Sequence, residues 1–308
     1  MGGFQTIFYI SILFFIVMLV LKMAKIARMP LHLRWDLYPI PHEKGKGEYG
    51  GSYFEDADWW TKPANSSMFS ELKEMAKEII FIQSLFNNNR FLWIFSFPFH
   101  FGMYCLIGFI FLLVFGAILA AAGIGISGAS TSGLAVVVYH LTVIIGTIGW
   151  ILAIVGALGL LICRLFWGEI HKSTVRSDYS NLLFLLAVFV AGFVSWLTVD
   201  PGYSILRGFV RNLVTFKAIG TLPTAVTVQL WVTAALLFYY PFTHMTHLFG
   251  KYFTYHWIRW EDSPNVRGGK IEKAVSSSLG FRQNWSAPHI KTGGTWAEAA
   301  TDEENNNG

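Results

Sequence analysis

The chain has 308 residues, 54% of them apolar and only 14% charged, with a formal net charge of +4. An average soluble domain carries about 25% charged residues, so this composition excludes a disordered chain and argues against a water-soluble globule. The two cysteines, Cys105 and Cys163, lie inside apolar runs with no C-x-x-C partner, which excludes a built-in iron–sulfur cluster, structural zinc or disulfide framework.

The first apolar run, Phe4 to Leu21, has no basic n-region and no small-residue cleavage site. It reads as a retained helix, stopped by Lys22 and Lys25. Segment 22–90 is polar and too long for a mere connector. It carries Pro30-Leu-His-Leu-Arg-Trp-Asp-Leu-Tyr-Pro-Ile-Pro-His-Glu43, a Gly-rich stretch, and Ser70-Glu-Leu-Lys-Glu-Met-Ala-Lys-Glu-Ile-Ile80, which starts like a capped amphipathic helix. With Trp35, Tyr38, Trp59 and Trp60 near its basic groups, the segment is either a membrane-surface belt or a docking face for a cytoplasmic subunit.

From Phe91 to Cys163, 73 consecutive residues contain no Asp, Glu, Lys or Arg. A spanning helix needs about 20 apolar residues, so the stretch predicts two spans, Phe91 to Ala122 and Leu134 to Cys163, parted by the Gly/Ser/Thr-rich 123–133. A fourth run, Leu182 to Val199, ends at Asp200-Pro201-Gly202, and a fifth extends from Leu222 to Met245. The polar tail from Glu261 onward reads as mostly disordered after its first part. The expected architecture is an all-α integral membrane protein, a five-helix bundle divided into span 1–21, loop 22–90, four-helix bundle 91–260 and tail 261–308.

Lys and Arg concentrate on the cytoplasmic side of a membrane. Segments 22–90, 164–181 and 248–308 hold twenty of them, against three in 200–221 and none in 1–21 or 123–133. The N-terminus is therefore expected outside and the C-terminus in the cytoplasm, in the inner membrane. Basic residues spread around membrane ends fit this topology signal and membrane lipid better than nucleic acid.

Ionisable side chains within hydrocarbon are expensive and face the bundle interior. Four histidines qualify: His100, His140, His244 and His247. His100 lies about ten residues from the cytoplasmic start of the second run, and His247 closes the fifth at the same side. Two neutral imidazoles at matching depth on facing helices are what a low-spin b-type haem asks of its protein. His244, three residues before His247 on a neighbouring face of the same helix, is the substitute ligand. Gly102 would let a porphyrin lie against the backbone. Arg164 and Arg90 either pair with haem propionates or are ordinary positive-inside flanks.

The outer half offers less. Eighteen residues back along the fifth run from His247, roughly 27 Å, stands Gln229, and ten residues after His100 stands Ile110. Only His140 provides an imidazole at that depth. Three roles are open to it: ligand of a second haem, hydrogen-bond partner of a quinone carbonyl, or packing. Asp200, at the outer end of the fourth run, either relays quinol protons or is a turn residue.

Phe97-Pro-Phe-His-Phe-Gly102, Cys163-Arg-Leu-Phe166 and Tyr240-Pro-Phe-Thr-His-Met-Thr-His247, set on five spans, resemble the gamma (cytochrome b) subunit of respiratory nitrate reductase. The loop motif around His32 looks still more like the DsrM-type and heterodisulfide-reductase-type relatives of sulfate reducers. The resemblance covers about residues 1–260. It implies a quinone-reactive di-haem cytochrome b that exchanges electrons between menaquinone or menaquinol and a cytoplasmic HdrD-like (DsrK-like) Fe–S subunit, with further membrane and periplasmic cytochrome c subunits as candidate partners. The family's inner-haem ligands map onto His100 and His247, and its outer pair onto Ile110 and Gln229, where this chain departs from the pattern. An ungapped alignment on Arg-Leu-Phe places His140 within a turn of a basic residue of the family's quinol site, so whether His140 ligates a haem or contacts quinone stays open; His140, Asp200 and Gln229 are the candidate quinone-site residues.

Two readings compete with an electron-transfer subunit. A transporter predicts charges at the bilayer midplane and inverted repeats, and the second and third runs carry neither. A haem-free anchor for the Fe–S subunit is distinguished by the absence of pigment.

Overall fold

The computed structural model describes residues 3–28, 43–44, 53–63, 65–254, 266–288 and 290–301. Among them the chain is helical, with no named strand, and five helices are long and apolar enough to cross a membrane. In chain order the helices are α1 (Gly3–Ala27), α2 (Met68–Phe81), α3 (Gln83–Asn88), α4 (Arg90–Ala121), α5 (Gly133–Phe166), α6 (Gly168–Ser173), α7 (Arg176–Thr198), α8 (Ser204–Val214), α9 (Thr224–Tyr239), α10 (His247–Thr254), α11 (Lys270–Leu279) and α12 (Trp296–Thr301). They fall into two compact units, Met1–Leu19 with Ala76–Met245, and Val20–Met75 with Thr246–Gly308.

The first unit is a membrane-type bundle built on α4 and α5. At about 1.5 Å per residue their 32 and 34 residues exceed a hydrocarbon core of about 30 Å, so Arg90 and Arg164 reach polar ground. Without a hydrophobic force between helices in lipid, close backbone approach and van der Waals packing hold such a pair. A Cβ on Gly102 would overlap the Ala153 backbone, and one on Gly156 would overlap Phe99. Gly102 therefore serves the α4–α5 crossing. Two residues along a helix turn the side chain by about 200°, so Gly102 points nearly opposite to His100.

α7 packs between α5 and α9, with Gly192 set against the Trp150 ring. The first turns of α1 close the bundle through Phe8 against Phe209 (centroids 5.1 Å) and through Tyr9, whose hydroxyl donates to the Leu213 carbonyl at 2.7 Å. The second half of α2 is tied to α4: Tyr104 Oη donates to the Ile79 carbonyl (2.6 Å) and Trp93 Nε1 to that of Phe81 (2.7 Å). The expected amphipathic helix thus exists, but it starts two residues early, with the Ser67 hydroxyl accepting from the Ser70 N–H at 3.3 Å.

The fifth span is shorter than its hydropathy suggests. Pro241 has no N–H for the Leu237 carbonyl, and α9 gives way to the 3₁₀ turns Tyr240–Phe242 and His244–Thr246 before α10 starts at His247. His244 and His247 therefore do not share one continuous helix, as the run to Met245 had implied.

The second unit holds the short polar elements. Tyr53 N–H donates to the buried Glu43 carboxylate (2.6 Å), and Trp59 and Trp60 stand edge to face, centroids 5.9 Å apart. The tail expectation is corrected here. Beyond residue 265, α11 and α12 are joined by backbone pairing, Gln283 N–H to Gly294 O (2.8 Å) and Gly293 N–H to Gln283 O (2.7 Å), with Gln283 and Ile290 buried. The His32 motif up to His42, with Trp35 and Tyr38, and the tail residues from Asp302 onward lie outside the described residues.

Candidate functional site

His100 lies half-buried on α4, one turn after Ser96. Its Nδ1 is 2.7 Å from the Ser96 carbonyl oxygen and 3.3 Å from Ser96 Oγ. A carbonyl oxygen only accepts, so Nδ1 carries a proton and donates to it. This is the tautomer control that metal-ligating imidazoles receive from a carbonyl behind them. Phe99 stands edge to face with the ring at 5.2 Å, which keeps its surroundings apolar. The residue fits a haem iron: an imidazole oriented by the main chain on a membrane helix. His247, the expected partner ligand, opens α10 in the second unit and is exposed. Among the described residues, no group of three or more His, Cys, Asp and Glu is placed to hold a metal ion.

At the Arg164 end of the bundle a polar network gathers two of the candidate residues, Arg164 and His244, and four that sequence reasoning missed. Asp178, in the first turn of α7, has Oδ2 at 3.3 Å from Arg164 Nη1 and Oδ1 at 3.5 Å from His244 Nε2. Asn181 Nδ2 lies 3.3 Å from His244 Nδ1, and Asn181 Oδ1 accepts from the Tyr239 hydroxyl at 2.6 Å. Both nitrogens of His244 therefore face protein partners. Arg164 is held by Asp178 and by Thr174 Oγ1 (3.3 Å), while Arg90 lies over the Phe86 ring at 4.9 Å. Asp178 and Asn181, polar residues preceding the fourth apolar run, were the available signal for this cluster.

At the opposite end, where residues 122–132 join α4 to α5, the structure adds a helix that hydropathy did not reveal. Asp200 caps α8: Ser204 Oγ and the Ile205 N–H donate to Oδ1 (3.2 and 3.1 Å) and the Leu206 N–H to Oδ2 (2.9 Å). Both carboxylate oxygens are thereby engaged, the turn role of the two expected. Burial pushes the Tyr203 hydroxyl up to about 12, and it pulls the Arg207 guanidinium below its ordinary range against the opposing influence of Asp200 and Tyr139. His140 is exposed on α5 beside Tyr139, Gln229 is buried on α9, and Ile110 is 57% exposed on α4. The helical spacing of Ser204, Arg207, Gly208 and Arg211 was the sequence signal for α8.

A family model described as "Nitrate reductase gamma subunit" matches residues 82–261. No curated protein and no solved structure matches the chain.

Proposed function

The chain belongs to the nitrate reductase gamma subunit family of membrane cytochrome b subunits, and from that premise we propose that it carries electrons between menaquinone or menaquinol and a cytoplasmic Fe–S subunit of the HdrD type. The loop motif around His32 supports a DsrM-like member of sulfate-reducing complexes, with periplasmic cytochrome c subunits as further partners. The excess of basic residues in 22–90, 164–181 and 248–308 supports an N-terminus outside the inner membrane.

The observation that carries this reading is the 2.7 Å contact between His100 Nδ1 and the Ser96 carbonyl. It supports His100 as one residue that would hold a haem b, and the Thr-His-Met-Thr-His pattern supports His247 as the other. His244 is the weaker choice because its ring nitrogens face Asn181 and Asp178. Haem b, when bound, supplies one-electron chemistry. The protein's own part is to hold two imidazoles neutral and oriented, exclude water through α4 and α5, and keep Arg164 and Arg90 at the polar border. Ile110 and Gln229 stand where the resemblance has its outer pair, so one haem is proposed. His140, exposed on α5, is accessible to a quinone arriving from the bilayer and is proposed to hydrogen-bond its carbonyl, with Gln229 in the same half.

Purified full chain mixed with a menaquinol analogue tests the function. Growth of reduced b-type bands supports it, and their loss on His140→Ala with haem content unchanged supports the quinone role. A pigment-free protein would leave only a membrane anchor.

A further inference from the structure

We propose that the cavity at the 122–132 end of the bundle binds a phosphate group, of a phospholipid headgroup or of a free phosphate ion. The cavity, of about 400 Å³, lies between the 123–126 turn and the face of α8 that carries Ser204, Arg207 and Arg211. These positions repeat at helical spacing and form one polar stripe. The opposite side of α8, Leu206, Phe209 and Leu213, is buried in the bundle.

Arg207 carries the argument. It is only 4% exposed, and its Nε and Nη2 are buried with no hydrogen-bond partner. The neighbouring Asp200 favours the charged guanidinium electrostatically but gives these two groups no hydrogen bond, its own oxygens accepting from the start of α8. Two other parts of the bundle lie against the guanidinium: the Tyr139 ring, 5.7 Å from its carbon, and α4 at Gly116, where an added Cβ would stand 3.3 Å from Nε. Neither supplies an acceptor oxygen to the two orphaned groups. A buried charge without acceptors is expensive, and the molecule places this one on the wall of a solvent-reachable cavity.

Arg211, one turn further on and exposed, adds a second guanidinium on the same wall. Two rigid five-donor forks suit a tetrahedral anion with several acceptor oxygens. α8 links α7 to α9, so the cavity opens where a membrane presents its headgroups.

The test uses purified full chain in phosphatidylcholine nanodiscs, with melting followed as phosphatidylglycerol is titrated in and, in a separate arm, as inorganic phosphate is added at constant ionic strength. The expected result is a rise in Tm of about 5 °C with phosphatidylglycerol, one such lipid retained per chain in native mass spectrometry, and affinity at least tenfold weaker in Arg207→Gln. Arg211→Gln, an exposed change that leaves the core intact, must also weaken it and carries the test should the Arg207 variant fail to fold. Inorganic phosphate matching the lipid's effect would identify the free ion as the ligand and support the site. No shift with either source, or a wild-type response in Arg211→Gln, would overturn it.

Discussion

His244 Nε2 lies 3.5 Å from Asp178 Oδ1, and the other ring nitrogen lies 3.3 Å from Asn181 Nδ2. A histidine with protein partners at both ring nitrogens is a poor haem ligand, because coordination would take one nitrogen away from Asn181 or Asp178. His244→Ala is expected to keep the full b-type spectrum and to lose about 1 kcal/mol of stability. Haem content measured beside a melting curve checks this, and loss of the bands would return His244 to the ligand set.

The α4–α5 crossing makes Gly102 a packing residue. Gly102→Ala drives a methyl into the Ala153 backbone and is expected to cost about 1–3 kcal/mol, read as a lower Tm and poorer yield of folded protein. Gly125→Ala, which meets open space, is the control. Wild-type stability in the Gly102 variant would mean that the two helices are further apart than described.

Asp200 is expected to act through α8 alone. Asp200→Ala removes the cap and should cost about 1 kcal/mol, while Asp200→Asn, which keeps an acceptor, should retain most of that stability and all of the quinol turnover. An asparagine variant that folds normally but no longer oxidises quinol would instead assign the carboxylate to proton transfer.

Much of the fold was legible because charge is so costly in hydrocarbon. The charge-free stretch from Phe91 to Cys163 marks α4 and α5 to within three residues at each end. What hydropathy cannot register is backbone chemistry: Pro241 ends α9 inside an apolar run, and α8 alternates Arg with Leu and Phe so that its mean looks like a loop. His100 was visible as an ionisable group in a span, but its orientation by Ser96 was not, since that partner is a main-chain oxygen. The close approach of Gly102 to Ala153 could not be read from sequence, because it depends on how two helices cross.

Tyr203 gives the account a pH dependence. Its hydroxyl is buried beside Thr147 and Trp150, and its pKa is raised to about 12, so folding favours the neutral phenol. The unfolded chain ionises from about pH 10, so stability contributed by this group is full below that pH and is lost as pH rises toward 12. Tyr203→Phe should flatten alkaline denaturation over that window. An unchanged profile would show that the phenol is not shielded from water.

The central claim is that His100 holds a haem iron. The most direct test is the haem-to-protein ratio of the purified chain, determined by pyridine haemochrome for wild type, His100→Ala and His244→Ala side by side. The account predicts one haem per chain in wild type and in the His244 variant, and essentially none in the His100 variant. Full haem content after removal of His100 would contradict it.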